Sequence, residues 1–159
     1  MNRQDITPAI GLLIARLGFG GYIMAHGWGK LQMLIDGKFE DFGDPIGLGA
    51  PLSLALVTFA EFGCGLLVIV GLAARLATIP IITTMAVAAF VAHAGDPWTM
   101  GEGFRLFMVG ESEFPKSKEP ALVFLIAFAT LLATGPGKLS LDAVVWGRLR
   151  DRASGGAPD

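Results

Sequence analysis

The chain has 159 residues, room for one domain, and 53% of them are hydrophobic while only 16% are charged. A soluble domain carries roughly 25% charge, so this composition selects lipid as the solvent, and the mean hydropathy of +0.60 agrees. The net charge of −2 argues against a nucleic-acid partner, and the single cysteine, Cys64, excludes an internal disulfide and any CxxC metal or redox motif.

A bilayer-spanning helix needs about 20 apolar residues, and four segments approach that length. The first covers about 8–34 and carries Arg16, His26 and Lys30, the last two within "YIMAHGWGKL". Asp5 and Arg16 spoil a cleavable leader, so this segment reads as a retained span. An acidic loop rich in Gly and Pro, "DGKFEDFGDPIG", follows. The second segment, about 50–73, holds one charge, Glu61, and meets the third in the tight turn "GLAARLA". The third, about 75–95, opens on Arg75 and beyond it has only His93 as an ionisable group, and Pro80 is expected to bend it. Next comes the longest loop, with an apolar patch, "FRLFMV", suited to the membrane surface, to capping the bundle or to docking another subunit. The fourth segment, about 119–136, is uncharged after Glu119 but short; Pro120 fits its first turn and Gly135-Pro136 its stop.

Residues 1–150 therefore read as a single all-α, integral membrane four-helix bundle, and residues 151–159 as a disordered tail. Four spans put both termini and the Arg75 turn on one side. The basic C-terminal stretch tips that side toward the cytoplasm, with Trp28 and Trp98 at the outer interface and Trp146 at the inner one.

Charged side chains inside a bilayer are costly and usually face the bundle interior in pairs. Counting ~1.5 Å of rise per residue from Pro8 puts Arg16 ~12 Å deep and His26 ~27 Å. The same count puts His93 at ~27 Å and Glu61 ~16 Å from the far end of its own span. Two layers are expected: Arg16 paired with Glu61 near the middle, and His26, Lys30 and His93 sharing one pocket at the outer mouth, with Glu61 as its floor. At about 100° per residue, Arg16, His26 and Lys30 fall within an arc of roughly 80°, a face shared with Gly20 and Gly27. Small residues let helices approach closely, so this face points inward.

These groups have other uses. An Arg–Glu pair can be purely structural. Lys30 can snorkel to the headgroups. Histidines at an interface can bond to backbone. Two histidines at equal depth can also ligate a haem, or hold a metal with Asp96 or Glu61, though nothing in their spacing requires it. A small-molecule pocket is the remaining reading, suited to a quinone head or small anion, with the histidines passing protons near neutral pH.

Arg16 in the first span, "HGWGKL" at 26–31, "AEFGCGLLVIVGLAARLA" at 60–77, His93 and "GPGKLSLD" at 135–142, in this order, resemble the landmarks of the DoxX family. These are small four-helix bacterial membrane proteins, similar to the large subunit of a thiosulfate:quinone oxidoreductase. The resemblance implies a subunit of a quinone- or thiol-linked oxidoreductase system in the bacterial inner membrane, with lipid around it, quinone as a possible ligand and partner subunits. It puts catalytic roles on His26, Glu61 and His93 and ligand-binding roles on Arg16 and Lys30, with no metal. The alternatives are a noncatalytic accessory or assembly subunit of a larger complex, and a binder of a lipid-like molecule. The chain has no dithiol, so a partner or the substrate must bring the second sulfur.

Overall fold

A computed structural model describes residues 3–154. Every regular element among them is helical: α1 (Arg3–Ile35), α2 (Ala50–Thr58), the π-helical turn π1 (Phe59–Gly63), α3 (Cys64–Val70), α4 (Ala74–Val87), a second π-helical turn π2 (Ala88–Ala92), α5 (Met100–Met108), α6 (Glu119–Thr134) and α7 (Leu141–Ser154). The stretch α2–π1–α3 is one continuous apolar helix, and so is α4–π2. With α1 they give three helices long and apolar enough to cross a membrane, Ile6–Ile35, Ala50–Val70 and Ala74–Ala92. The fourth, α6, is equally apolar but has 16 residues. Its rise of ~24 Å falls short of a hydrocarbon core of ~30 Å. The fold is an all-α membrane bundle, as composition and segment lengths predict.

The four long helices close a ring. The first packs on α2–π1–α3, which packs on α4, which packs on α6, which returns to α1. The apolar centre is built by Ile23, Val68, Ile81, Ala89, Phe128 and Leu131. Large side chains on the outside, among them Ile14, Leu17, Leu76 and Ile126, are exposed on the faces that lipid covers. Such a helix is apolar all round, so its packing face is marked by small residues rather than by an apolar stripe. A Cβ on Gly20 would meet Ile69 Cγ1 at 2.8 Å, and one on Gly65 would meet the backbone N of Met24 at 3.3 Å.

At one end of the bundle, the segment before α7 fastens three elements together. Gly71 ends α3 in a left-handed conformation (φ 71°), with its N–H on Leu67 O at 2.9 Å. The Asp142 carboxylate caps α4, accepting from the N–H groups of Ala73 at 2.7 Å and Ala74 at 3.0 Å, while Asp142 N–H donates to Gly71 O at 2.8 Å. At the other end, α5 lies between π2 and α6. Thr99 caps it, and Gly103 packs against the Lys116 backbone where no Cβ would fit. Lys118 Nζ donates to Ala94 O at 2.7 Å, which holds the long loop to the end of π2. The exposed Phe104, Phe107 and Met108 of α5 carry the "FRLFMV" patch. The last helix runs on through Ser154, so the expected tail begins helical; residues 155–159 lie outside the described residues.

Candidate functional site at the two π-helical turns

The site begins with a glycine. Gly27 is where α1 comes closest to π1: a Cβ there would lie 2.5 Å from Phe62 N and 2.8 Å from Glu61 C. That approach places the next turn of α1, with Lys30, directly over Glu61. Lys30 Nζ donates to Glu61 Oε2 at 2.5 Å, and the Glu61 side chain is 4% exposed against 25% for Lys30. A carboxylate this buried needs such a partner. Glu61 sits inside π1, and His93 follows π2, its N–H closing the last wide turn on Ala88 O at 2.9 Å. π-helical turns are rare and concentrate at functional sites. Here both fall on the second and third spans at the same polar cluster.

His93 Nδ1 lies 2.7 Å from Asp96 Oδ2, and Lys116 Nζ lies 3.5 Å from Asp96 Oδ1. The hydrogen bond with His93, and then the charge of Lys116, hold the Asp96 carboxyl below the ordinary carboxylate value of 3.8, against the opposing effect of partial burial.

Two cavities meet at this cluster. The larger, about 580 Å³, lies between α2–π1 and α4–π2. Its body is apolar, walled by Leu56, Phe59, Ile79, Pro80 and Val87, and its polar end is Lys30, Glu61 and His93. Leu56, Phe59 and Ile79 are also exposed, so the cleft opens sideways into the lipid. The smaller, about 230 Å³, is lined by His26, Glu61, His93, Lys116, Ser117 and Phe124 among others. Glu61 and His93 line both.

The structure gathers His26, Lys30 and His93 around Glu61, but in place of the one expected pocket it divides them between two cavities. Lys30 faces the large cleft and His26 the small cavity. His26 stands at the rim of the α1 packing face, exposed, with its ring edge-on to Phe124 of α6 at 5.9 Å between centroids. The expected Arg16–Glu61 pair is absent. Glu61 belongs to Lys30, and Arg16 is at the other end of the bundle, 1% exposed, with Nη2 donating to Leu139 O and Asp142 as the acid acting on its charge. The depth count failed because it set Pro8 and Leu72 at one membrane surface. In the structure Arg16 is level with Gly71, where a Cβ would collide with the guanidinium, and α1 continues ~20 Å beyond it to Arg3. Among the described residues, Arg16 Nε and Nη1 have no hydrogen-bond partner.

Sequence reasoning assigned Asp96 only as a possible metal ligand and missed Lys116; the spacing of three from His93 was the available signal for Asp96. Among the described residues, no three His, Cys, Asp or Glu side chains converge as a metal site would require. Cys64 is buried and free, one turn from Glu61.

A lipid-embedded helical bundle with a polar cluster at one end of a lateral cleft defines a class of small membrane proteins. Residues 11–94, the first three spans, match the DoxX family, and the chain belongs to it. No curated protein and no solved structure matches the chain.

Proposed function

We propose that the protein binds a quinone in the cleft between its second and third spans and serves as a subunit of a quinone- or thiol-linked membrane oxidoreductase system. The observation that carries this reading is the cleft itself: about 580 Å³, apolar along its body, open to lipid, and closed at one end by Lys30, Glu61 and His93. A lipid-soluble molecule with a polar ring enters such a site from the bilayer, and its tail stays in the apolar groove. Lys30 carries three N–H donors, of which Glu61 uses one, so another is free for a ring oxygen. Reduction of a quinone to a quinol takes two electrons and two protons. Glu61 and His93 are the proton-exchanging groups at the head end. The electrons come from oxidation of two thiolate equivalents to a disulfide, and since Cys64 is alone and buried, both sulfurs come from substrate or a partner subunit. His26 lines the neighbouring cavity and acts at its mouth rather than on the quinone. Arg16, expected as a ligand residue, has a structural role at the opposite end.

The test is purification in mild detergent, organic extraction and mass spectrometry, followed by titration with a short-chain ubiquinone. Near-stoichiometric endogenous quinone and saturable binding that weakens at least tenfold in Lys30→Met support the reading. Phospholipid alone in the cleft, with no saturable quinone binding, replaces it with a lipid-binding role. A foreign subunit bound through α5, with an empty cleft, replaces it with an accessory role, for which the exposed Phe104, Phe107 and Met108 would be the docking side chains.

A further inference from the structure

We propose that the smaller cavity is the entry for protons from the aqueous face at the α5 end, and that His93, positioned by Asp96, passes them to Glu61. This rests on the reading of the large cleft as the reaction site and adds the route and the residue that orients it. The two cavities are separate spaces that share two titratable side chains, Glu61 and His93. The larger opens to lipid along its apolar body and is covered beyond Lys30 by the loop residues Phe42, Pro45 and Ile46. The smaller adds His26, Lys116 and Ser117 to the shared pair, so polar side chains make up a larger share of its lining. Anything that moves from one to the other by side-chain chemistry must use the shared pair.

Asp96 settles which ring nitrogen works. Its carboxylate, 2.7 Å from Nδ1 and held ionised by its low titration range, accepts the Nδ1 proton. A neutral imidazole with Nδ1–H presents Nε2 as its acceptor. Nε2 takes a proton from water in the small cavity and Nδ1–H stays on Asp96. The imidazolium, balanced by Asp96, then releases the Nε2 proton through that water to the Glu61 carboxylate, which lines the same cavity. One proton enters and one leaves, and His93 and Asp96 end as they began. The other titratable groups around His93 are His26 and Lys30 on α1, Glu61 on π1, and Lys116 on the loop before α6. Lys116 touches the other oxygen of Asp96, so it fixes that carboxylate rather than competing for the ring. Asp96 touches no reacting atom and is a positioning residue.

Two measurements on the full chain in nanodiscs test this without any quinone or reductant. The first follows protonation of the buried carboxyl by infrared absorption after an acid pH jump, with Glu61→Gln identifying the band. His93→Phe and Asp96→Asn are expected to slow its appearance about tenfold or more, the low side of what a positioned acid–base group contributes; Lys116→Gln is expected to have a smaller effect. The second is nitrogen NMR of labelled histidine, expected to show His93 as the Nδ1–H tautomer in the unaltered protein and as a mixture in Asp96→Asn. Unchanged protonation rates in both variants, or an Nε2–H tautomer in the unaltered protein, overturn the proposal. The tautomer measurement stands even where a variant fails to fold. Failure to bind quinone leaves both measurements untouched, so the two readings fall separately.

Discussion

Lys30 and Glu61 share a site in which either group alone is a liability. Lys30→Met strands a carboxylate that is 4% exposed. Losing one partner of a buried pair costs about 3–5 kcal/mol, while replacing both with apolar groups is often neutral. Thermal unfolding in detergent is therefore expected to drop sharply for Lys30→Met and to recover substantially in Lys30→Met/Glu61→Met; a double variant as weak as the single one would show that the pair is not the source. Asp96 gives a second residue-level expectation. Its carboxyl is held below the ordinary value of 3.8 in the folded chain, so its contacts with His93 and Lys116 contribute full stability above the unfolded value of about 3.9 and lose it as pH falls through the lower folded one. Hydrogen exchange across residues 96–118 is expected to stay slow down to mildly acid pH and to accelerate below about pH 4, with Asp96→Asn removing that acid step.

At the scale of elements, two close fits decide the register. Gly27 lets α1 touch the backbone of π1, and the nearest atoms there are main-chain ones that cannot rotate away. Gly27→Ala is expected to cost about 1–3 kcal/mol and to break the Lys30–Glu61 contact; a crystal or cryo-electron structure of the variant with that contact intact would count against this account. The remote cap on α4 is the other. Asp142→Ala is expected to lower stability by about 1 kcal/mol, and Asp142→Asn, which keeps an acceptor, by less. These fits also mark where sequence reading stops. The four apolar segments are legible because lipid imposes length and composition on each helix separately. The Lys30–Glu61 pairing is not, because depth was counted from assumed membrane surfaces, and a shift of a few residues between neighbouring helices exchanges one basic partner for another. The π-helical turns leave no periodic trace in a helix that is apolar all round. The grouping of His26, Lys30 and His93 at one end was legible from equal counts along two helices; their division between two cavities depends on Phe124 and α6, which carry no polar signal.

For the whole molecule, the orientation expected from the basic C-terminal stretch, with the α7 end in the cytoplasm and the α5 end on the opposite face, would put the proposed proton entry on the outside. Cysteine accessibility labelling in spheroplasts checks this: Ser112→Cys, on the exposed loop after α5, is expected to react with an impermeant maleimide before lysis, and a cysteine placed at Gly147 only after it. The opposite pattern would invert the direction of proton entry without altering the site.

Arg16 also sets an order of events during biosynthesis. Its acceptor, Leu139 O, and the acid acting on its charge, Asp142, are translated after three further apolar helices have been made. The guanidinium is thus made long before the carbonyl that receives it and the acid that acts on its charge. Chains that stop short of the segment after α6 lack both the acceptor for Arg16 and the cap on α4, so the two ends of the sequence complete each other in the fold.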